Sequence, residues 1–365
     1  MNVLIVNPIM YTSETEDIKR AKSIKDTMIY DLCLAFLELG HNVELFAAEP
    51  YKPVEDEEYP FPVIWGKCRF QRICKPHCFP YLSGLLQFVG IKKEKIDLII
   101  TSEIFSINTL NVVRKYCDKV IVWHELAKHN AMLNKLPSKI WYNFVVRVFM
   151  YDAFVVARSE KARLFIKKYC KHASNTVIEH GVNLDKFQPQ RDKKDYFVVC
   201  SQLIPRKRID GICEKYRDYL QITGKQTKLY IIGDGPNKGQ LEKLCHDFDI
   251  QESVSFTGRL THDQMMPLLS QAKALLINTE KDNSMISIIE AIAVGTPVVT
   301  TDIPHNATNI RNNKLGIVGS WSATELIEMS ENNAYYVDNC LQYREHLSNK
   351  NKVNQFIELV GQKEV

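Results

Sequence analysis

The chain has 365 residues, 45% of them hydrophobic and 25% charged, with a formal net charge of +4. That length allows two α/β domains, each with its own core, and the composition is that of a soluble globular protein. The small positive balance permits an anionic partner such as a nucleotide or an anionic lipid surface without demanding nucleic acid, and no apolar run approaches 18 residues, so no membrane span is expected.

The opening MNVLIVNP reads as a first strand rather than a signal peptide, since it has no basic n-region and no cleavage site. The loop that follows lacks glycine and offers Thr12, Ser13, Arg20, Lys22 and Lys25. In a parallel sheet such a loop opens onto the ligand crevice. Residues 29–39 show helical apolar spacing and stop at Gly40, and 42–47 reads as the next strand. Between 51 and 95, aromatics such as Phe70, Phe79 and Tyr81 interleave with Arg69, Arg72 and Lys75. The stretch is either an ordinary insertion packed on its own domain or a surface for an anionic bilayer or a lipid-linked acceptor. Ten scattered cysteines suit a reducing compartment, and Cys68, Cys74, His77 and Cys78 do not have a common zinc spacing, so no metal is expected there.

Strands expected at 97–102 and 119–123 place Ser102, Glu103, His124 and Glu125 at carboxyl ends, where parallel sheets bind ligands. A strand from 154 and a helix over 160–169 follow, and the charged run 188–195 reads as a linker. A second sheet begins at 196–201, with Gln202, Arg206, Lys207 and Arg208 just beyond. Another strand, from 229, breaks at Gly233 and Gly235, where bare backbone lets a nucleotide approach. A helix over 238–248 ends at Asp247-Phe248-Asp249, which reads as a helix end and not as a metal-binding acid pair. The next strand and loop, 254–260, carry Gly258 and Arg259.

The most informative stretch runs from Ala274 to Asp302. An apolar strand leads to a polar loop holding Asp282. Ser284 is the expected N-cap of a helix bearing Ile288, Ile289 and Ile292 on one face, and Gly295 and Pro297 stop it before another strand. The first-turn amides of Met285, Ile286 and Ser287 suit a phosphate. From Ser284 to Glu290 is roughly 9 Å of helix at ~1.5 Å per residue. An acid at each end and amides between fit the sugar, diphosphate and ribose of a nucleotide-sugar. A carboxylate embedded in SIIEAIA is also unusual for a merely solvated helix residue.

Residues 282–299, DNSMISIIEAIAVGTPVV, resemble the E-x7-E signature of retaining glycosyltransferases of family 4, with Asp282 in place of the first Glu. The phrase GVNLDKF (181–187) resembles that family's interdomain junction, and Lys207 matches the lysine of its R-L-x-x-x-K segment, with Gln202 at the arginine position. The resemblance implies the GT-B fold: α/β, two Rossmann-like domains facing a cleft, with the C-terminal helix returning to the first. The expected boundaries are 1–190 for the acceptor side, 191–345 for the nucleotide-sugar and 346–365 for the returning helix. By position it implies donor contacts at Gln202, Arg206, Lys207, Gly233, Gly235, Gly258, Arg259, Asp282, Met285, Ile286, Ser287 and Glu290. Ser13, Lys25, Ser102, Glu103, His124 and Glu125 fall on the acceptor side, and His124, Lys207 and Asp282 are the implied catalytic groups. The implied reaction is metal-independent, cofactor-free transfer to a glycan or lipid-linked acceptor, as in bacterial surface-polysaccharide assembly. A UDP-sugar is favoured over a GDP-sugar, and the setting is the cytoplasm or the inner face of the membrane. A sugar-nucleotide epimerase and a non-catalytic nucleotide-binding subunit on the same fold are the alternatives.

Overall fold

The structure, a computed structural model, describes residues 1–11, 17–129 and 135–363. The chain divides into two compact units, Met1–Gly181 with Asn349–Val365, and Val182–Ser348.

In the first unit lie β1 (Asn2–Val6), β2 (Asn42–Ala48), β3 (Val63–Gly66), β4 (Leu98–Ser102), β5 (Val120–His124), β6 (Val155–Ala157) and β7 (Ala173–Val177). They pair in parallel in the order β3-β2-β1-β4-β5-β6-β7. Val3 to Val6 and Val120 to Trp123 are buried without a break, as strands covered on both faces must be. Helix Met28–Glu38 covers one face with Leu32, Cys33 and Phe36. The final helix, Asn349–Lys363, belongs to this unit: Val353, Phe356 and Leu359 enter its core, and the Phe356 ring meets Trp123 edge-on at 5.5 Å. Most of the aromatic stretch 51–95 is an insertion on the same core, with Tyr51, Phe61, Leu82 and Val89 buried.

The second unit holds β8 (Tyr196–Cys200), β9 (Lys228–Ile232), β10 (Val254–Gly258), β11 (Ala274–Ile277), β12 (Val298–Thr300) and β13 (Gly316–Val318). All pair in parallel, in the order β10-β9-β8-β11-β12-β13. Successive residues of β8 serve opposite faces: Val198 packs with Leu275 and Ile288, and Val199 with Leu276 and Ile212. The order reverses between β8 and β11, and in open α/β sheets a ligand crevice forms outside the strand ends at that point.

The expected linker 188–195 is instead laced into this unit. The Gln190 amide donates to Val294 O at 3.0 Å and the Lys194 amide to Gln271 O at 2.8 Å. The Lys193 ammonium reaches Ser270 O at 2.6 Å and Thr296 Oγ1 at 3.0 Å. Burial lowers the Lys193 pKa to about 8. The chain passes between units earlier than the charge run suggests, after Gly181, and returns after Ser348.

Candidate functional site

The loops that leave β8 and β11 flank the switch point of the second sheet, and each supplies one partner of an ion pair. Lys207 Nζ lies 2.7 Å from Asp282 Oδ2, with side chains 10% and 15% exposed. Arg206 reaches Asp282 Oδ1 at 3.1 Å, and Thr279 Oγ1 donates to Oδ2 at 2.7 Å. Thr279 Oγ1 also contacts Arg206 O, tying the two loops together. Two cations thus converge on one carboxylate. Arg208 does not join them: at φ +46° it turns to Asp210 at 3.3 Å and Glu280 at 3.1 Å. Gln202 is exposed beside them and adds no charge.

Gly233 and Gly235 have a structural reason for being bare. A Cβ on Gly233, at φ +139°, would fall 1.8 Å from Ser201 O, and one on Gly235 would fall 2.4 Å from Leu203 O. The Leu203 amide donates to Asp234 O and the Asn237 amide to Leu203 O, both at 3.0 Å. The close approach is therefore to the loop carrying Lys207. Gly258, at φ +71°, has open space around its Cβ position, its carbonyl accepts from the Gly233 amide at 2.9 Å, and Arg259 beside it is exposed.

Helix Ile286–Ala293 begins one residue later than expected, with Met285 in the capping position. The Met285 amide, expected to be open to a ligand, donates to the buried Asn306 Oδ1 at 2.6 Å. The helix-end donors are thus Ile286 and Ser287. Glu290 is mostly buried, 14% exposed, and has a partner the sequence did not reveal: His262 Nε2 at 3.4 Å, its ring edge-on to Phe187 at 5.3 Å. His262 opens the helix after β10, a place where apolar periodicity says nothing about a histidine.

In the first unit, four expected residues come together at the carboxyl ends of β4 and β5. His124 Nδ1 lies 2.8 Å from Glu103 Oε2, and the Glu125 amide donates to Glu103 Oε1 at 2.7 Å. Arg158 joins them, donating to Glu125 Oε2 at 3.2 Å and to Ser102 Oγ at 3.1 Å. It also sits 3.2 Å from His180 Nε2 and stacks 3.9 Å from the Trp123 ring centre. Burial opposes charge on Glu103, but the facing His124 and Arg158 outweigh it and hold the carboxyl below its usual range. Burial, then the guanidinium of Arg158, lowers the His180 pKa against the pull of Glu125. Glu103 adopts φ +65°, a strained conformation for a side chain of its kind.

His124 itself departs from expectation. It has no exposed surface, so in this conformation Glu103 and Glu125, 25% and 22% exposed, are the parts of the network that solvent reaches. Arg158 and His180 lie 34 and 56 residues beyond His124 in the chain (158 − 124 and 180 − 124), and only the sheet order reveals their role. Lys25 is exposed on the loop after β1, and Ser13 lies outside the described residues. Among the described residues, no three His, Cys, Asp or Glu side chains gather as metal ligands, and Cys68, Cys74 and Cys78 are thiols rather than disulfide sulfurs. Asp247 ends its helix, and Asp249 follows at φ +56°.

Residues 183–352 match the family described as glycosyl transferases group 1. The chain carries a glycosyl transferases group 1 domain. That domain is the second unit almost residue for residue, so the ion pair at the switch point and Glu290 both lie within it. An alpha-monoglucosyldiacylglycerol synthase of Streptococcus pneumoniae is 24% identical over 237 residues, covering 59% of this chain and 54% of its own. A GDP-mannose-dependent alpha-(1-6)-phosphatidylinositol monomannoside mannosyltransferase of Mycobacterium tuberculosis is 28% identical over 187 residues, covering 46% and 48%. The chain spans about half the length of the curated relatives it matches. Among solved structures, Anabaena HepE in complex with UDP-glucose aligns with TM-score 0.64 and 15% identity over 99% of this chain and 100% of that one. The two Rossmann-like units outside and within the group 1 domain together have the fold of GT-B glycosyltransferases.

Proposed function

We propose that the protein is a retaining glycosyltransferase that moves a sugar from a nucleotide-sugar to a glycan or lipid-linked acceptor without a metal ion. The observation that carries this is the convergence of Lys207 and Arg206 on Asp282 at the switch point of the group 1 domain. When the bond from the sugar C1 to the diphosphate breaks, its electron pair stays with the diphosphate, and preorganised cations and helix-end amides stabilise that charge. Lys207, Arg206 and the amides of Ile286 and Ser287 meet this need from protein groups. Asp282 then hydrogen-bonds sugar hydroxyls, and Glu290, oriented by His262, takes the ribose hydroxyls.

The acceptor oxygen bonds C1 on the face the diphosphate leaves, and its hydroxyl proton passes to the departing diphosphate oxygen. In the first unit, Glu103 and Glu125 are the groups offered to the acceptor, with His124 and Arg158 holding them. An epimerase would need a histidine at a ligand surface as well as acids, whereas His124 is buried. HepE, the structural neighbour, is described with UDP-glucose, and this favours uridine as the base. A GDP-sugar is the second candidate, after the mycobacterial relative.

The test is a panel of UDP- and GDP-sugars scored by thermal shift, followed by transfer assays in excess chelator. The expected result is stabilisation by a UDP-sugar and turnover that chelator leaves intact. Stabilisation by none of the panel overturns the transferase assignment, and activity lost in chelator and restored by manganese overturns the metal-free mechanism.

A further inference from the structure

The continuous helix over residues 135–149 has an unusual sidedness. Its middle, Trp141–Val146, is a π-helix, whose i→i+5 bonding widens the turn. In an ordinary helix of 3.6 residues per turn, positions four apart drift around the axis; a wider turn keeps them in line. Burial follows that four-residue period. Ser138, Tyr142, Val146 and Met150 are at most 1% exposed, while Leu136, Ile140, Phe144 and Val148 are 66%, 55%, 58% and 57% exposed.

The outward face is therefore apolar where a surface helix of a soluble protein is normally polar. Beside the apolar row runs a second exposed row at the same spacing: Lys135, Lys139, Asn143 and Arg147. No acidic residue stands between Glu125 and Asp152. A further cation borders it, Arg114, 5.1 Å from the Phe149 ring centre, and Arg147 of the row itself donates to the carbonyl of Lys168. The 68–82 hairpin adjoins the helix, its Phe79 ring edge-on to Trp141 at 5.4 Å, and brings exposed Phe70 and Ile73 next to the exposed Arg69 and Arg72.

We propose that helix 135–149 docks the first unit onto an anionic lipid bilayer, with Leu136, Ile140, Phe144 and Val148 in the acyl boundary and Lys135, Lys139 and Arg147 at the headgroups. Among the described residues no helix is long and apolar enough to cross a membrane, so the helix lies along the surface. Charge complementarity selects the occupant. A row of exposed apolar side chains beside an exposed cationic row with no acid among them matches a negatively charged bilayer, in which every cation finds a phosphate. A second copy of the same helix would set cation against cation. The proposal rests on the exposure and charge of this helix and not on the transfer reaction, so vesicle binding and donor binding succeed or fail separately.

The test is flotation of the whole protein with vesicles of phosphatidylglycerol and phosphatidylcholine, against vesicles of phosphatidylcholine alone. The native protein is expected to float with the first and stay behind with the second. L136D/F144D changes only exposed side chains and should abolish flotation while the melting curve stays unchanged. K135Q/K139Q should weaken partitioning about 25-fold, since each cation near an anionic surface contributes about a fivefold factor. Flotation that survives both double substitutions, or no flotation of the native protein, overturns the proposal. So does a dimer in sedimentation velocity that L136D/F144D dissociates without any vesicle binding.

Discussion

The ion pair between Lys207 and Asp282 makes an opposed pair of predictions. In the ligand-free protein, Asp282 neutralises Lys207 at 2.7 Å and Arg206 at 3.1 Å. A nucleoside diphosphate arriving at the same cations must share them with that carboxylate. Lys207→Ala removes a cation whose gross attraction to a phosphate oxygen at about 4 Å is ~4 kcal/mol at an effective dielectric constant of ~20. After desolvation, a charge-assisted hydrogen bond nets about 1.5–3 kcal/mol, so the dissociation constant for the diphosphate should rise roughly 10- to 150-fold. Asp282→Asn keeps the size of the side chain and its bond from Thr279 but deletes a negative charge next to the diphosphate. Affinity should then rise about three- to tenfold while transfer falls, because the sugar loses its charged acceptor group. Each variant should lose some stability, since the pair is mostly buried, but Arg206 still reaches position 282 and limits the loss, so both should remain folded. The assay is isothermal titration with uridine diphosphate at fixed ionic strength, with melting curves on each variant. If Asp282→Asn weakens diphosphate binding as much as Lys207→Ala does, with both folded, the pair is a strut between loops and the placement of the diphosphate is wrong.

Other substitutions test the remaining parts. Glu290→Gln should cost about 1.5–3 kcal/mol of nucleotide affinity and erase any preference for ribose over 2′-deoxyribose; an unchanged preference returns Glu290 to a structural role. Gly233→Ala would drive a methyl group to 1.8 Å from Ser201 O at φ +139°, and should destabilise the second unit by more than ~3 kcal/mol, seen as a lower melting temperature or loss of soluble protein. For acid, the folded pKa values of Glu103 and His180 both lie below their ordinary values, so the unfolded chain takes up each proton first. Stability should therefore be full above pH ~6.5 and fall below it, first through His180 and then, under pH ~4.3, through Glu103. His180→Asn should remove the upper step and Glu103→Gln the lower one; a melting temperature that holds or rises between pH 7 and pH 4 refutes the assignment.

Much of the fold was legible because it is written in local periods. Unbroken apolar runs at 3–6, 120–123, 196–200 and 274–277 are of strand length and mostly β-branched or aromatic, which fits strands covered on both faces, and their alternation with helical spacing implies parallel sheets. The place of Glu290 relative to the first-turn amides of Ile286 and Ser287 was also fixed locally, because all three lie in one short helix whose rise per residue does not depend on the rest of the chain.

What the sequence could not specify is set by which strands become neighbours. The sequence separation of 75 between Lys207 and Asp282 is closed only because β8 and β11 pair at the switch point. Of the two arginines beside Lys207, the left-handed backbone at Arg208 sends that side chain away and leaves Arg206 on Asp282, and no composition rule distinguishes them. Arg158 and His180 enter the Glu103 network from the ends of β6 and β7, the Met285 amide is consumed by Asn306 from a later loop, and His124 is buried by rings at Tyr142 and Phe165. The apolar row on helix 135–149 stayed hidden because a scan at 3.6 residues per turn scatters a row whose spacing is four. The wide turn that aligns it buries Ser138, Tyr142, Val146 and Met150 together, and that choice belongs to the packed core.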